Sequence, residues 1–208
     1  MAHGSIRLFL LVATAALAGC SSTPPVRYHT LMPAELPVPS PAASSLPPIA
    51  IVVEPVRVPA QVDQPQWLVR LADGGMALLE QDRWASALGD EFRLALREQL
   101  IAGHGATEAR PAAGSMPIRV GVDVRRFDSV ASREARTEGT WTLTSSERTG
   151  ARSMRCEWFL REPTQAGTMA LAAAHRRAVA RLGDAIGEAL RQLSRNEPAT
   201  CPARDGPA

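Results

Sequence analysis

The stretch Ile118-Arg119-Val120-Gly121-Val122-Asp123-Val124-Arg125 alternates apolar with small or charged residues at every position. A period of two is typical of a β-strand that buries one face and exposes the other to water. Two later segments, 139–144 and 154–160, repeat the pattern, with Trp141 and Cys156 on the inward side. The sequence therefore predicts three strands that share one buried face.

Helical periodicity lies on both sides of these strands. The earlier helix is expected from about Ala85 to Ala102, before the stop signal Gly103, and the later one from about Thr168 to Ser194. Their apolar stripes consist of Leu88, Phe92, Leu96 and Leu100 in the first helix and Val179, Leu182, Ile186, Leu190 and Leu193 in the second. Strands grouped between helices favour an α+β fold. We expect a single α+β domain, in which a mostly antiparallel or mixed sheet packs against two main helices.

Shorter strands are expected earlier in the chain. One covers 26–31, a second covers 49–53, and a hairpin forms around the turn signal Asp73-Gly74. Between the first two lies a proline-rich stretch, residues 32–48, which predicts an extended loop because proline donates no ladder hydrogen bond. The folded domain is thus expected to span residues 26–196, with residues 197–208 as a loose tail.

The first twenty residues have the features of a bacterial export signal. Arg7 precedes the apolar run 8–16, which is too short to cross a bilayer. The following Leu17-Ala18-Gly19-Cys20 resembles the lipobox, in which the cysteine receives a diacylglycerol and the chain is cut before it. We expect residues 1–19 to be a signal peptide, Cys20 to carry a covalent lipid and residues 20–25 to form a tether. The alternative is an ordinary signal peptide with a chance cysteine.

The residue after the cysteine bears on the destination of the protein. Position 21 is Ser, and not the Asp that favours retention at the inner membrane in enterobacteria. We therefore expect anchoring in the outer membrane, on its periplasmic face. A tether of about six residues, at roughly 3.3–3.6 Å per residue, would keep the domain within about 20 Å of the bilayer.

Charge and motif content argue against several classes of function. The 23 basic and 21 acidic residues nearly balance, whereas a nucleic-acid-binding protein would carry a basic stripe. The sequence contains no nucleophile elbow, paired-histidine motif or acidic metal loop. His104, between two glycines, is expected to be solvated in a loop. We expect no enzymatic activity, no metal and no cofactor other than the lipid on Cys20.

Two cysteines remain once Cys20 is lipidated. Cys156 and Cys201 would share an oxidising compartment, and their spacing fits no zinc or redox motif. We predict a Cys156–Cys201 disulfide that joins the tail to the body of the domain. The alternative is that the two thiols are unpaired or form intermolecular bonds.

The segment before the hairpin is the best candidate for partner binding. Asp63, Gln64, Pro65, Gln66 and Trp67 combine polar groups with a large aromatic, as protein interfaces do, and Arg70 extends the set. Arg83 and Trp84 are possible extensions of this surface. The alternative is that Trp67 and Trp84 are core residues and that Asp63 caps a turn.

The order of short motifs resembles that of a known family. The strand Arg27-Tyr28-His29-Thr30-Leu31, the segment Val56–Arg70, Arg83-Trp84-Ala85 and Arg126-Phe127-Asp128 are similar to the ABC-type transport auxiliary lipoprotein family, and the likeness covers about Val26–Leu193. The chain departs from the family pattern at Gln64, where a basic residue is common.

This resemblance implies a small α+β lipoprotein in a lipid transport system built around MCE (mammalian cell entry) proteins. The domain would be non-catalytic, dock the periplasm-spanning MCE partner at the outer membrane and support membrane integrity. The resemblance also implies a capacity for homo-oligomeric assembly, although no residue of the sequence indicates self-association. Two alternatives stay open: a carrier domain that binds lipid itself, and an envelope assembly lipoprotein unrelated to transport.

Overall fold

The computed structural model describes residues 24–35, 49–109, 116–147, 150–195, 197–198 and 200–201. The expected signal peptide, Cys20, most of the proline-rich stretch (36–48) and residues 202–208 lie outside the described residues. The elements, in chain order, are β1 (Arg27–His29), β2 (Ile49–Val53), β3 (Gln66–Arg70), β4 (Met76–Trp84), α1 (Leu88–Glu98), β5 (Ala106–Glu108), β6 (Ile118–Val130), β7 (Glu134–Glu147), β8 (Gly150–Pro163) and α2 (Thr168–Ser194).

The three alternating segments form the centre of the fold as a meander of β6, β7 and β8. The strands pair antiparallel, with Val122 opposite Trp141 and Trp141 opposite Cys156. The side chains of Val122, Trp141 and Cys156 are all buried, which confirms the prediction that they lie on the inner face of the sheet. Each strand extends beyond its alternating segment because backbone hydrogen bonds continue through polar residues.

The other edge of β6 is shared by two segments. β2 runs parallel to the start of β6, with Ile51 opposite Ile118, and β3 reaches its end, with Arg70 opposite Val130. The order across this part of the sheet is β1-β4-β3-β6-β2-β5, while β7 and β8 extend it from the opposite edge of β6. The sheet is mixed and open, and together with the two helices it confirms the α+β class.

The helices supply the second layer of the core. α2 spans the predicted residues and buries Val179, Leu182, Ile186 and Leu190, while Leu193 is partly buried. α1 begins at Leu88, later than predicted, and continues into a π-helical turn, Gln99–Gly103. Its expected stripe is buried throughout.

Glu91 joins the first turn of α1 to the end of the first strand segment. Its carboxylate accepts hydrogen bonds from the Thr30 hydroxyl at 2.6 Å and the Leu31 amide at 2.9 Å. The Ser86 hydroxyl donates to the other oxygen at 2.9 Å. A negative charge in the first turn also interacts favourably with the helix dipole. This buried carboxylate therefore holds the N-terminal segment against the helix.

His104 lies between the helices and not in solvent, so the expectation of a solvated loop residue is wrong. Its side chain is 9% exposed, and its Nε2 lies 2.9 Å from Asp184 Oδ1. Space for the ring exists because α2 has glycine opposite it: a Cβ on Gly187 would lie 2.3 Å from His104 Cγ. Gly183 leaves similar room for Gln99.

A disulfide connects the tail to the middle of β8. The sulfurs of Cys156 and Cys201 are bonded, with their Cα atoms 5.5 Å apart, within the usual range for a disulfide. Cys156 is buried and Cys201 is exposed. The bond closes a loop that contains the whole of α2 and attaches residues after the helix to the sheet.

Candidate functional site

The segment before β3 forms an exposed loop with an ordered backbone. The Val62 amide donates to the Pro59 carbonyl at 3.0 Å, and the Val62 side chain is buried. At the other end, the Trp84 amide donates to the Pro65 carbonyl at 3.1 Å. Asp63 and Pro65 are exposed. The loop is therefore fixed at both ends and presents its polar side chains to solvent.

Strand geometry divides the predicted binding residues into two sets. Gln66 and Arg70 are half-buried and alternate along β3 with Trp67 and Val69, which are buried. Arg70 is also engaged inside the domain, since its guanidinium lies 3.4 Å from Asp128 Oδ1. Of the six proposed residues, Asp63, Gln64, Pro65 and Gln66 form one surface with solvent access.

Trp67 is a core residue, and its assignment to a partner surface is wrong. It is 1% exposed, and its indole Nε1–H donates to Ser129 Oγ at 2.7 Å. Its ring packs on Trp84, itself 4% exposed, with centroids 4.5 Å apart. Both indoles face the inner side of the sheet. Neither can contact a partner in the folded domain.

Ser129 also connects Trp67 to α2 through His175. Ser129 Oγ lies 2.8 Å from His175 Nε2, and the imidazole stacks on Phe127 with centroids 4.0 Å apart. Burial lowers the pKa of His175 to about 3, so the ring is neutral at physiological pH. A serine next to a histidine can form a nucleophile and base. Here both residues are buried without access for a substrate, and the contact instead joins β3, β6 and α2.

A second polar cluster holds β1 at the edge of the sheet. Asp82 accepts two hydrogen bonds from Arg27, at 3.0 and 2.7 Å, and lies 2.7 Å from His29 Nε2. Burial alone raises the pKa of Asp82, but hydrogen bonds from Arg27, His29 and Thr168 outweigh it and lower the pKa to about 2. The carboxylate is therefore ionised and binds β1 to β4 close to the start of α2.

A shallow groove lies between the helices and the segment after β1. Its volume is about 280 Å³, and it is lined mainly by apolar atoms from residues that include Leu31, Ala95 and Val179, with Arg176 and Arg177 at its sides. Sites for small molecules usually measure about 300–1,000 Å³, so this groove is at or below their lower limit. Within the described ranges, no group of three or more His, Cys, Asp or Glu side chains could hold a metal ion.

Comparisons with known proteins identify the family. The chain matches the family model of the ABC-type transport auxiliary lipoprotein component over residues 29–187. Because this match covers most of the sequence, the protein belongs to the ABC-type transport auxiliary lipoprotein family. No curated protein matches it in a sequence search.

Two solved structures share the fold at low sequence identity, and a third aligns over a smaller part of the chain. A Xanthomonas campestris protein of the DUF330 family is similar with a TM-score of 0.59 and 18% identity, over 82% of this chain and 98% of that one. A crystal structure titled as an uncharacterized protein gives a TM-score of 0.55 and 19% identity, over 74% of this chain and 98% of that one. A putative lipoprotein from Caulobacter crescentus aligns over 51% of this chain and 85% of that one, with a TM-score of 0.38 and 19% identity. None of the described helices is long and apolar enough to span a membrane.

Proposed function

We propose that the protein is a non-catalytic component of an MCE-type intermembrane lipid transport system. It would be held to the outer membrane by a lipid on Cys20 and would dock the periplasm-spanning MCE partner there. The observation that carries this proposal is membership of a family of transport auxiliary lipoproteins, matched over residues 29–187. Such a component needs an anchor and a binding surface, and no reaction chemistry of its own.

The loop formed by Asp63, Gln64, Pro65 and Gln66 is the proposed docking surface. Its backbone is held by the turn at Pro59, by the buried Val62 and by the bond from the Trp84 amide. An ordered loop loses little conformational entropy when it binds, which favours association. The polar atoms of this surface can then form hydrogen bonds to a partner without rearrangement of the core.

A pull-down tests this function. The tagged, lipidated protein is purified from detergent-solubilised envelopes, and bound proteins are identified by mass spectrometry. An MCE-domain protein should be recovered with the wild type and lost, or strongly reduced, with Asp63→Arg. Glu35→Arg is the matched control because it reverses the charge of an acidic residue in the same way on another exposed segment.

The outcomes separate the proposal from its alternatives. Equal recovery of the MCE protein with both variants would remove the loop from the interface while leaving the function intact. Absence of an MCE protein would contradict the function. Phospholipid that co-purifies with a Cys20→Ser protein would favour the carrier alternative, and recovery of outer-membrane assembly proteins alone would favour the assembly alternative.

A further inference from the structure

The β3–β4 hairpin carries large apolar side chains on its solvent side. Leu71, Met76 and Leu78 are 38%, 43% and 41% exposed. Leu78 lies opposite the half-buried Leu68, and Met76 lies opposite Arg70, so these four side chains share the outer face of the hairpin. Leu71 lies beside the turn, where its amide donates to the Gly75 carbonyl. Clusters of exposed apolar residues mark surfaces that contact a partner or a membrane. We therefore expect a partner or a membrane to cover this face of the hairpin.

The direction of β1 indicates what lies near the hairpin turn. β1 runs parallel to β4, with Arg27 opposite Asp82, and β4 runs away from the turn at Asp73–Gly75. The chain that precedes Arg27 therefore approaches from the side of the turn. The expected lipid attachment at Cys20 lies on that preceding part of the chain.

Chain length limits how far the bilayer is from the turn. Cys20 is seven residues before Arg27, a reach of at most about 25 Å at 3.3–3.6 Å per residue. Six residues, 76–81, separate the turn from Asp82, a distance of about 20 Å along a strand. The maximum reach of the tether is therefore nearly equal to the distance along β4 from Asp82 to the turn. An anchor at Cys20 therefore keeps the bilayer surface within reach of the hairpin turn.

The charges near this face indicate that it would bind a membrane by burying apolar side chains and not by attracting anionic headgroups. Arg70 lies on the same face, but its guanidinium is paired with Asp128 at 3.4 Å, and the segment 71–80 contains Asp73 and Glu80 and no basic residue. A surface that binds anionic lipid headgroups would instead carry Lys or Arg side chains that are not already paired. The Asp73 carboxylate accepts a hydrogen bond from the Gly75 amide at 2.8 Å and so belongs to the turn itself. Binding through this face should therefore be insensitive to salt.

We infer that the β3–β4 hairpin inserts into the interface of the bilayer that holds the lipid anchor, through Leu68, Met76 and Leu78 on its outer face and Leu71 beside its turn. This inference rests on the anchor at Cys20 that belongs to the proposed function. The contact makes a second attachment to the membrane and fixes the orientation of the domain. The loop at Asp63, at the opposite end of β3, then faces away from the bilayer.

A fluorophore that reports polarity tests the contact. The full lipidated chain with Met76→Cys is labelled with nitrobenzoxadiazole and reconstituted into vesicles of phosphatidylethanolamine and phosphatidylglycerol. The introduced thiol is the target for labelling because Cys156 and Cys201 are bonded and Cys20 carries lipid. The emission should shift to the blue on vesicles, at low and high salt, and should be quenched by lipids with brominated acyl chains.

Met116→Cys is the matched control. Met116 is 65% exposed and precedes the start of β6, whereas the hairpin is beside the end of β6. Its label should keep an aqueous emission on the same vesicles. Protein that floats with vesicles but keeps an aqueous signal at residue 76 contradicts the hairpin contact alone. Protein that does not float with the vesicles contradicts both the anchor and this inference. A blue shift of the label at residue 76 that occurs only when the MCE partner is present would show that the hairpin binds a protein and not the bilayer.

Discussion

Asp82 stabilises the folded domain through its ionised form. Its pKa falls from the usual 3.8 to about 2 because Arg27, His29 and Thr168 bond to the carboxylate. A lowered folded-state pKa gives stability that is complete above about pH 4 and is lost as the pH falls toward 2. At about 1.4 kcal/mol per pKa unit, the contribution is about 2 kcal/mol. Urea unfolding of the wild type from pH 6 to pH 2.5 should show this loss.

The Asp82→Asn variant isolates that contribution. At pH 6 its free energy of unfolding should be lower than that of the wild type by about 2 kcal/mol, because the amide cannot replace the charge. The difference should shrink toward pH 2, where about half of the wild-type carboxyl groups are also protonated. A difference that is constant over this range would show that the residue acts by packing and not by charge.

Substitution of Trp67 distinguishes a role in the core from a role in partner binding. The Trp67→Ala variant should lose about 3–5 kcal/mol of unfolding free energy because it leaves a cavity and removes the partner of Ser129. Asp63→Ala, on the exposed loop, should change stability by less than about 0.5 kcal/mol. Chemical unfolding of the two variants checks both values. A loss of unfolding free energy below about 1 kcal/mol in Trp67→Ala would contradict the core role and would support a place for the indole on the candidate surface.

The orientation of Trp67 illustrates what local sequence leaves undetermined. Because β3 contains three apolar residues in succession, Trp67, Leu68 and Val69, alternation alone does not predict which of them face the core. The inward orientation of Trp67 is set by Ser129 on β6 and by Trp84 on β4, which are distant in the chain. The exposed residues of the loop were predictable from composition, because polar residues beside proline rarely enter a core.

Gly187 allows α2 to approach the turn after α1. Alanine normally stabilises a helix interior by about 1 kcal/mol relative to glycine. Here Gly187→Ala should destabilise the domain by about 1–3 kcal/mol, because its Cβ would overlap the His104 ring. Combining it with His104→Ala should relieve the overlap. Additive effects in this double-mutant cycle, measured by thermal unfolding, would contradict the close approach.

The disulfide restrains the last helix and the tail. Cys156 and Cys201 are 45 residues apart, so removal of the bond by Cys201→Ser should lower the free energy of unfolding by up to about 4 kcal/mol. Reduction of the wild type should give a similar loss, while the reduced variant should show no further change. Two free thiols in the native protein under non-reducing conditions would contradict the bond.

Elements with a strict period could be predicted from the sequence, and their pairing could not. The alternation at 118–125 predicts β6, and the long apolar stripe predicts α2. The division of one edge of β6 between β2 and β3 depends on contacts between distant residues. The π-helical turn and the burial of His104 likewise depend on Gly183 and Gly187, some 80 residues further along the chain.

At the scale of the whole molecule, the two proposed contact surfaces lie at opposite ends of β3. The hairpin turn and the approach of the tether lie at one end of β3, and the loop at Asp63 lies at the other. An anchor on one side and an exposed loop on the other suit a component that holds a partner at a membrane. The proposed function and the proposed bilayer contact thus use different surfaces of one small domain.

Photo-crosslinking in growing cells tests the central claim most directly. A photoreactive residue replaces Asp63, the cells are irradiated, and their inner and outer membranes are separated on a density gradient. The proposed function predicts a crosslinked product with an MCE-domain protein in the outer-membrane fraction. A product confined to the inner membrane, or one formed with an unrelated outer-membrane protein and no MCE protein, would contradict it.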